Sequence, residues 1–223
     1  MKFKSKFLAL YLLAIVFPLF GSPTNSMQFL ISNSDYTELS SIPGIAIELK
    51  YATTDNFMKE NLYGEFTMCF MHKDGAAKLK KAVDLLRSEH PGFGLLVYDG
   101  LRPRSVQRKM WARVKGTPSQ KYVADPDKGS MHNYGMAVDL TATDASGKPL
   151  DMGAGYDDFR ELSQPRYEER FIKSGELSQK QLKNRLILRS AMEGAGFIQL
   201  KHEWWHYDAM EQKEAAKLYK IVE

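Results

Sequence analysis

Apolar and polar residues alternate along the central part of the chain in the pattern of helices joined to short strands. A helix is predicted from Gly75 to Glu89, with Asp74 as its N-cap, because apolar residues recur in it at spacings of three and four. Its predicted buried face consists of Leu79, Ala82, Val83 and Leu86. The apolar run from Gly94 to Tyr98 predicts a buried strand, and Pro103 can begin a second helix that continues towards Lys115.

The pattern after this helix is less regular. Gly116 to Gly129 is rich in Gly, Pro, Asp and Ser and predicts a loop, and Tyr134 to Thr141 predicts the next strand. A long polar stretch follows, from Asp144 to Glu176. Ser178 and Gln181 have the spacing of a capping box and predict the start of another helix. The residues predicted to form its buried face are Leu182, Leu186 and Ile187.

The C-terminal end predicts a hairpin, from Phe197 to Leu200 and from Glu203 to Tyr207, and then a short helix from about Glu211 to Tyr219. Helices and strands are mixed along the chain without regular βαβ alternation. This order predicts the α+β class, as a single domain in which a small, largely antiparallel central sheet is flanked by helices.

The first 26 residues have the pattern of a secretory signal peptide. Lys2, Lys4 and Lys6 precede an apolar run from Phe7 to Phe20, and small or turn-forming residues follow from Gly21 to Ser26. The apolar run is shorter than the ~20 residues that cross a bilayer as a helix, although an uncleaved membrane anchor is the alternative. We therefore expect a leader at residues 1–26, cut near one end of its small-residue stretch, and an exported, periplasmic domain at residues 27–223 without stable membrane association.

Removal of this leader also removes the basic character of the chain. The full sequence has a formal charge of +4, but residues 1–26 contain three lysines and no acid, which leaves 28 basic and 27 acidic side chains. A nearly neutral domain gives no support for binding to nucleic acid or to an anionic membrane. The single cysteine, Cys69, excludes an internal disulfide and a Cys-rich zinc cluster. A metal site must therefore be built from His, Asp and Glu.

Two short clusters supply such ligands. His132, at the end of the polar loop, precedes Asp139 in the predicted strand, and the small residues Gly135 and Ala137 between them leave room for a close approach. The second cluster, Glu203 to Tyr207, contains a glutamate, a histidine and two tryptophans that would wall the site. Together the clusters provide two imidazoles and one carboxylate for a metal, with a second carboxylate to spare.

This set matches a catalytic zinc site, which has three protein ligands and an open position for water. We expect His132, Asp139 and His206 to bind one zinc ion per chain, although other divalent metals accept the same ligands. Such an ion lowers the pKa of its water to ~7 and polarises a carbonyl group. Glu203 is the predicted general acid/base. In a regular strand Glu203 and His206 would point to opposite faces, so a bulge or twist is also expected.

Each of these residues has a structural interpretation as well. His132 is compatible with a loop histidine, Asp139 with an ordinary strand-end carboxylate, and His206 with a half-buried residue beside two core tryptophans. The combination favours a site, because two of the five histidines of the chain fall in clusters with acidic residues. The other histidines, which are expected to be solvated beside the first helix or to border the second cluster without a role, are His72, His90 and His202.

A third segment, from Tyr98 to Pro103, places Arg102 where a strand enters a helix. An arginine at such a point can reach into a cleft and stabilise the oxyanion of a tetrahedral intermediate. The alternative is a surface turn with a salt bridge.

Taken together, the three segments resemble the D-alanyl-D-alanine dipeptidases, the zinc peptidases that include the vancomycin-resistance dipeptidase. The shared patterns are Ser-x-His-x-x-Gly-x-Ala-x-Asp from Ser130, Glu-Trp-Trp-His from Glu203 and Asp-Gly-x-Arg-Pro from Asp99. The resemblance begins near Leu49 and continues through Tyr207. Two features narrow the resemblance to the dipeptidase branch, namely the segment from Tyr51 to Phe57 and the pair Met152-Gly153 before Asp157. The stretch from Met58 to Met71 departs from the family pattern.

The resemblance implies the same zinc ligands, with Glu203 as general acid/base and Arg102 as transition-state stabiliser. It further implies that Ser130 contacts the substrate, that Asp157 pairs with the free ammonium group, and that Tyr51 lines the pocket. The implied partner is a small dipeptide, D-alanyl-D-alanine. A longer peptide would leave an unpaired polar or charged group buried at Asp157, which is costly.

Other functions stay open from the sequence. The nearest is a D,D-carboxypeptidase or peptidoglycan endopeptidase, against which Asp157 argues. A non-catalytic cell-wall-binding protein could lose Glu203 or Arg102, yet both are present, and a structural zinc domain would need a fourth ligand. The biological purpose is open between recycling of wall fragments, nutrition and glycopeptide resistance. The predicted leader favours the first two, because resistance requires depletion of a cytoplasmic precursor.

Overall fold

The computed structural model describes residues 23–223, so the predicted leader lies outside the described residues except for its last four positions, which belong to the first helix. Six α-helices and seven β-strands form this part of the chain. In chain order they are α1 (Pro23–Ser32), β1 (Tyr36–Glu38), β2 (Ile45–Ile47), β3 (Phe70–His72), α2 (Lys73–Glu89), β4 (Gly94–Asp99), α3 (Arg104–Val114), β5 (Ala137–Thr143), α4 (Glu168–Ser174), α5 (Gln179–Gly194), β6 (Ile198–Gln199), β7 (His206–Asp208) and α6 (Gln212–Leu218). No helix among them is long and apolar enough to span a bilayer.

A five-stranded sheet with the order β2-β4-β5-β7-β6 lies at the centre. Only the β2–β4 pair is parallel, and the other three pairs are antiparallel. Every residue of β4 and β5 is buried, as expected for central strands covered on both faces. A separate antiparallel pair joins β1 to β3. The α+β class with a largely antiparallel central sheet, which the sequence predicts, is therefore confirmed.

A β-bulge at Tyr98 interrupts the pairing of β4 with β5. Val97 pairs with Leu140, but the next pair joins Asp99 to Asp139, so two steps on β4 oppose one step on β5. A bulge bends its strand and redirects the following side chain, and bulges are common beside active sites. Here it brings the end of β4 level with the polar end of β5.

Helices α2 and α5 pack against each other, and the hydrophobic core lies between them and the sheet. The predicted apolar face of α2 is buried as expected. The predicted face of α5 is wrong, because Leu186 is 46% exposed, and the buried residues are instead Asn184, Arg185, Leu188, Ala191 and Met192. Two of these are polar, which an apolar periodicity cannot reveal.

The start of α2 also differs from the prediction. The helix begins at Lys73, and its N-cap is His72 instead of Asp74, since the Nδ1 atom of His72 accepts a hydrogen bond from the backbone N–H of Asp74 at 3.3 Å. The ring of His72 lies against Tyr36 and Tyr219, with ring centroids 5.8 and 4.4 Å away. His72 is therefore buried, and the expectation that it is solvated is wrong.

The two segments without predicted structure contain short helical elements. The loop from Gly116 to Gly129 includes a 3₁₀ turn at Pro118–Tyr122, and the polar stretch after Asp144 includes α4. The predicted strand at Tyr134 begins only at Ala137, because a 3₁₀ turn at Met131–Tyr134 precedes it. The predicted C-terminal hairpin exists as β6 and β7, but with shorter strands.

Candidate metal centre and active site

Three side chains bring their ligand atoms together at one end of the central sheet. His132 lies in the 3₁₀ turn before β5, Asp139 on β5, and His206 on β7. The Nδ1 atom of His206 is 2.9 Å from Oδ1 of Asp139 and 3.2 Å from Nε2 of His132, and the latter is 3.4 Å from the same Oδ1 atom. The structure thus groups the three residues that the sequence proposes as metal ligands.

The strand register explains two of these positions. Asp139 and His206 are direct partners in the antiparallel β5–β7 pair, so their side chains share one face of the sheet. His132 reaches the same point because Gly135, at a φ of +67°, turns the chain sharply into β5. A Cβ atom at Gly135 would lie 2.8 Å from the backbone N of His72, so a side chain there would clash as well as strain the backbone.

The outer hydrogen bonds of both imidazoles indicate where their protons lie. Nδ1 of His132 is 2.7 Å from the carbonyl oxygen of Gly100, and Nε2 of His206 is 2.9 Å from Oδ1 of Asp208. Both neighbours are acceptors, so a neutral imidazole in either place carries its proton on that outer nitrogen. Each inner nitrogen then presents a lone pair to the other and to the Asp139 carboxylate. Three electron-pair donors that converge in this way need a cation between them, which is either a metal ion or a proton.

The spacing of these donors suits zinc. A tetrahedral ion with bonds of about 2.0–2.2 Å sets its ligand atoms roughly 3.3–3.6 Å apart. The observed triangle, with sides of 2.9, 3.2 and 3.4 Å, comes close to one face of that tetrahedron. An outer carbonyl or carboxylate behind each histidine is the usual support of a metal-binding imidazole. The residues present therefore fit the ion that the sequence implies.

The two carboxylates beside His206 favour its protonated form. Burial alone would lower the pKa of His206, but the carboxylates of Asp208 and Asp139 outweigh it and raise that pKa well above the usual range. Burial would likewise raise the pKa of Asp139, yet His132 and His206 hold it well below its usual value. Metal binding must displace this proton, which makes metal affinity pH-dependent.

Glu203 lies in the loop between β6 and β7, outside either strand. The predicted strand from Glu203 is therefore wrong in its first residues, and the alternation of a strand does not separate Glu203 from His206. Burial raises the pKa of the Glu203 carboxyl group to about 7, and the carboxylates of Asp139 and Asp157 add to this effect against His206 and Arg102. A group that titrates near neutral pH can both accept and release a proton there.

Arg102 is buried beside this centre. Its Nε and Nη2 atoms donate to Oδ2 of Asp99, and its Nη1 atom donates to Oε1 of Gln107 at 3.0 Å. The Nη2 atom also lies 3.9 Å from Oδ2 of Asp139. Asp99, opposite Asp139 through the bulge, accepts a further hydrogen bond from the hydroxyl of Tyr63. These bonds fix the guanidinium group and leave one N–H on each terminal nitrogen for the cavity.

Asp157 occupies a strained position on the loop between β5 and α4. Its φ of +59° lies in the left-handed region, which is unfavourable for most residues other than glycine. Its Oδ1 atom accepts from the hydroxyl of Tyr51 at 3.0 Å, and its Oδ2 atom accepts from the backbone N–H of Phe57 at 3.2 Å. Burial, opposed by the Phe57 bond, raises the pKa of Asp157 to about 7. Within residues 23–223 no cationic side chain forms a salt bridge with it, which leaves its charge available for a ligand.

Ser130 precedes the 3₁₀ turn that carries His132. Its backbone N–H donates to Oδ1 of Asn133 at 2.8 Å, whereas its buried Oγ atom has no hydrogen-bond partner among the described residues. A serine hydroxyl group can both donate and accept, so Ser130 can form a hydrogen bond with a polar group of a molecule bound in the cavity.

All eight predicted site residues line one cavity of about 530 Å³. They are Tyr51, Arg102, Ser130, His132, Asp139, Asp157, Glu203 and His206. Of the two tryptophans, Trp205 lines the cavity and Trp204 is buried behind it. His202, which has no motif role, also borders the cavity.

Sequence reasoning did not identify three supporting residues. Asp208 holds the outer nitrogen of His206, and its position two residues along the same strand would have indicated a shared face. Asp99 anchors Arg102 from inside the recognised Asp-Gly-x-Arg-Pro pattern. Tyr156 donates a hydrogen bond to Asp139 from a loop with no periodicity, and no sequence signal marks it.

The raised pKa of Glu203 predicts a pH-dependent stability for the metal-free protein. Between the ordinary value of 4.5 and about 7 the unfolded chain loses this proton while the folded chain keeps it, so the group lowers the free energy of unfolding as pH rises. Glu203→Gln should therefore match wild type at pH 4 and be more stable at pH 8, by at most about 3 kcal/mol.

Urea denaturation in the presence of a chelator measures this difference. Glu193→Gln, at an exposed position, serves as the control and should show no such trend. Equal effects of Glu203→Gln at both pH values would contradict the electrostatic environment described for the site.

Comparisons with known proteins identify the family of the chain. The sequence profile of a peptidase family described as D-ala-D-ala dipeptidase matches residues 34–222. The chain is 36% identical over 179 residues to the D-alanyl-D-alanine dipeptidase of Escherichia coli (strain K12), an alignment that covers 78% of this chain and 86% of that relative. It is 32% identical over 183 residues to the D-alanyl-D-alanine dipeptidase of Enterococcus faecium, covering 74% of this chain and 86% of the relative.

A relative from Streptomyces coelicolor (strain ATCC BAA-471 / A3(2) / M145) with the same name is 32% identical over 188 residues, covering 77% of this chain and 89% of its own length. The profile match spans most of the described chain and includes every residue of the candidate site. The resemblance seen in the sequence is confirmed: the chain is a metallopeptidase that belongs to the D-Ala-D-Ala dipeptidase family.

Proposed function

We propose that this protein hydrolyses D-alanyl-D-alanine to two molecules of D-alanine, with one zinc ion held by His132, Asp139 and His206. The observation that carries the proposal is the convergence of three lone-pair donors, within 3.4 Å of one another, on the wall of a cavity that also contains Glu203 and Arg102. Membership of the dipeptidase family and the names of the relatives support the substrate.

The proposed metal would polarise the scissile carbonyl group and acidify a water molecule when bound. Glu203 then accepts the proton of the attacking water on its carboxylate and delivers it to the nitrogen of the departing D-alanine. A pKa near 7 suits both halves of this transfer at neutral pH. Trp205 and the buried aromatic residues around it limit the entry of bulk water.

Arg102 is proposed to stabilise the negative charge that develops on the carbonyl oxygen. Its guanidinium group is already fixed by Asp99 and Gln107, so it needs no reorganisation during the reaction. One free N–H on each terminal nitrogen is available to the oxyanion. The salt bridge with buried Asp99 also keeps this charge permanently in place.

Recognition of the substrate is assigned to the other three lining residues. Asp157, held by Tyr51 and the Phe57 backbone, would pair with the free ammonium group of the dipeptide. Ser130, whose hydroxyl is unpaired, would donate to or accept from a polar group of the substrate. In an N-acylated or longer peptide the nitrogen at this position is an uncharged amide, which would leave Asp157 without a cationic partner.

Hydrolysis of longer wall peptides is the second candidate function. A cavity of about 530 Å³ is within the usual range for pockets that hold larger ligands than two alanines, so volume alone does not exclude it. The position of Asp157 favours the dipeptide. A purely structural zinc site is disfavoured, because the candidate ligand group among residues 23–223 has three members and leaves a position for water.

We further propose that the protein is exported to the periplasm and takes part in the turnover of cell-wall peptides, for recycling or nutrition. The support is the order of basic, apolar and small residues in the first 26 positions. Cell fractionation with an antibody to the protein should find a shortened chain in the periplasmic fraction. A full-length chain found mainly in the cytoplasm would overturn this location and reopen the resistance role.

Glu203→Gln tests the catalytic assignment. The variant should retain stoichiometric zinc but lose about 10²- to 10⁴-fold in kcat towards D-alanyl-D-alanine, because only the proton transfer is removed. Zinc content by atomic absorption and the release of D-alanine measure the two effects. Glu193→Gln should behave like wild type in both. A Glu203→Gln variant that keeps wild-type activity would remove Glu203 from the mechanism, and a zinc-loaded wild type that leaves the dipeptide intact would refute the substrate.

Asp157→Asn tests recognition of the ammonium group. We expect kcat/KM for D-alanyl-D-alanine to fall about 10- to 100-fold, mainly through KM, because a charged hydrogen bond is lost. Protonation of Asp157 has the same consequence, so the wild-type KM should rise as the pH falls below about 7, and the variant should lack this dependence.

Asp158→Asn is the matched control for this variant. Asp158 follows Asp157 on the same loop but pairs with the exposed Arg160 and does not line the cavity. It should leave KM and its pH profile unchanged. An Asp157→Asn protein with a wild-type KM, or with undiminished preference for the dipeptide over N-acetyl-D-alanyl-D-alanine, would show that Asp157 does not bind the ammonium group.

A further inference from the structure

The two carboxylate oxygens of Asp139 have different partners. Oδ1 faces the two imidazoles, at 2.9 Å from Nδ1 of His206 and 3.4 Å from Nε2 of His132. Oδ2 accepts a hydrogen bond from the hydroxyl of Tyr156 at 3.1 Å and lies 3.9 Å from Nη2 of Arg102. A carboxylate whose second oxygen is bound in this way is fixed in rotation and presents a single oxygen to a metal.

Tyr156 is itself held firmly in place. Its ring lies edge-on or tilted against three aromatic residues, with centroids 6.1 Å from Tyr51, 5.0 Å from Tyr98 and 5.4 Å from Trp205. Contacts from three sides restrict both side-chain torsions. This packing holds the hydroxyl where it donates to Asp139.

The backbone around Tyr156 is anchored from the body of the domain. Arg185 on α5, 1% exposed, donates from Nε to the carbonyl oxygen of Met152 at 2.7 Å and from Nη2 to that of Leu162 at 2.9 Å. These two bonds secure both ends of the segment from Met152 to Leu162. Asp157 directly follows Tyr156 in that segment. The Tyr156 side chain therefore contacts the proposed metal ligand Asp139, and the neighbouring Asp157 side chain forms the proposed ammonium site.

We propose that Tyr156 is a positioning residue that fixes Asp139 as a one-oxygen metal ligand and links metal binding to the order of the segment from Met152 to Leu162. The proposal rests on the proposed zinc site. Residues that support a ligand in this way typically contribute 10- to 100-fold to metal affinity. Because Asp139 and Tyr156 share a hydrogen bond, an ion that binds the carboxylate adds a further restraint to the segment from Met152 to Leu162.

Tyr156→Phe separates this role from simple packing, because it removes the hydroxyl and keeps the ring. The matched control is Tyr98→Phe. Tyr98 is a buried neighbour in the same aromatic cluster, but its hydroxyl makes no hydrogen bond within the described part of the chain, and it does not line the cavity. Each variant removes one hydroxyl oxygen from the same aromatic cluster. Only the hydroxyl of Tyr156 contacts a proposed metal ligand, Asp139.

The first measurement is the dissociation constant for Zn²⁺, by competition with a chromophoric chelator, for the full chain and the two variants. We expect Tyr156→Phe to bind Zn²⁺ about 10- to 100-fold more weakly and Tyr98→Phe to match wild type. The second measurement is the visible spectrum with Co²⁺. A freed carboxylate can offer both oxygens, so the Tyr156→Phe band should weaken as the coordination number rises.

Wild-type Zn²⁺ affinity and an unchanged Co²⁺ spectrum in Tyr156→Phe would overturn the inference while leaving the zinc site intact. A wild type that binds no Zn²⁺ would overturn both. If Tyr156→Phe does not fold, hydrogen exchange of the wild type decides: backbone amides from Met152 to Leu162 should gain protection when Zn²⁺ is added. Equal exchange with and without the ion would then refute the link.

Discussion

The pairing of β4, β5 and β7 is the constraint on which the candidate site depends. Asp139 on β5 is the direct partner of His206 on one side and, through the bulge at Tyr98, of Asp99 on the other. One row across three strands therefore carries two of the proposed metal ligands and the residue that anchors Arg102. A shift of either pair by one residue would turn these side chains to the opposite face of the sheet. The strand register thus positions Asp99, Asp139 and His206 relative to one another, independently of the loops.

The local electrostatic environments give chemically similar carboxyl groups different pKa values. Asp139 lies between two imidazoles that hold its pKa well below the usual value, whereas burial raises the pKa of both Glu203 and Asp157 to about 7. Asp99 is neutralised by the buried guanidinium group of Arg102. Groups of one chemical type are thereby suited to the three proposed roles of metal ligand, proton carrier and recognition site, because their environments differ.

The sequence predicted the parts of this arrangement that lie in compact motifs. The proposed ligands His132, Asp139 and His206 come from two short clusters, and the resemblance to a known family suggested their roles. Residues outside motifs could not be found in this way. Tyr156 acts through a tertiary contact from an irregular loop, and Arg185 is buried on a helix whose apolar residues pointed to another face. Both positions depend on contacts between segments that are distant in the sequence, and a local sequence pattern does not encode such contacts.

X-ray absorption at the zinc edge tests the central claim most directly, because it reports the atoms around the ion independently of any activity. The account predicts one zinc per chain with four nitrogen or oxygen neighbours at about 2.0–2.2 Å, and the multiple scattering of two imidazole rings. A sulfur neighbour, which only Cys69 or a methionine could supply, or a zinc without two imidazoles would contradict it.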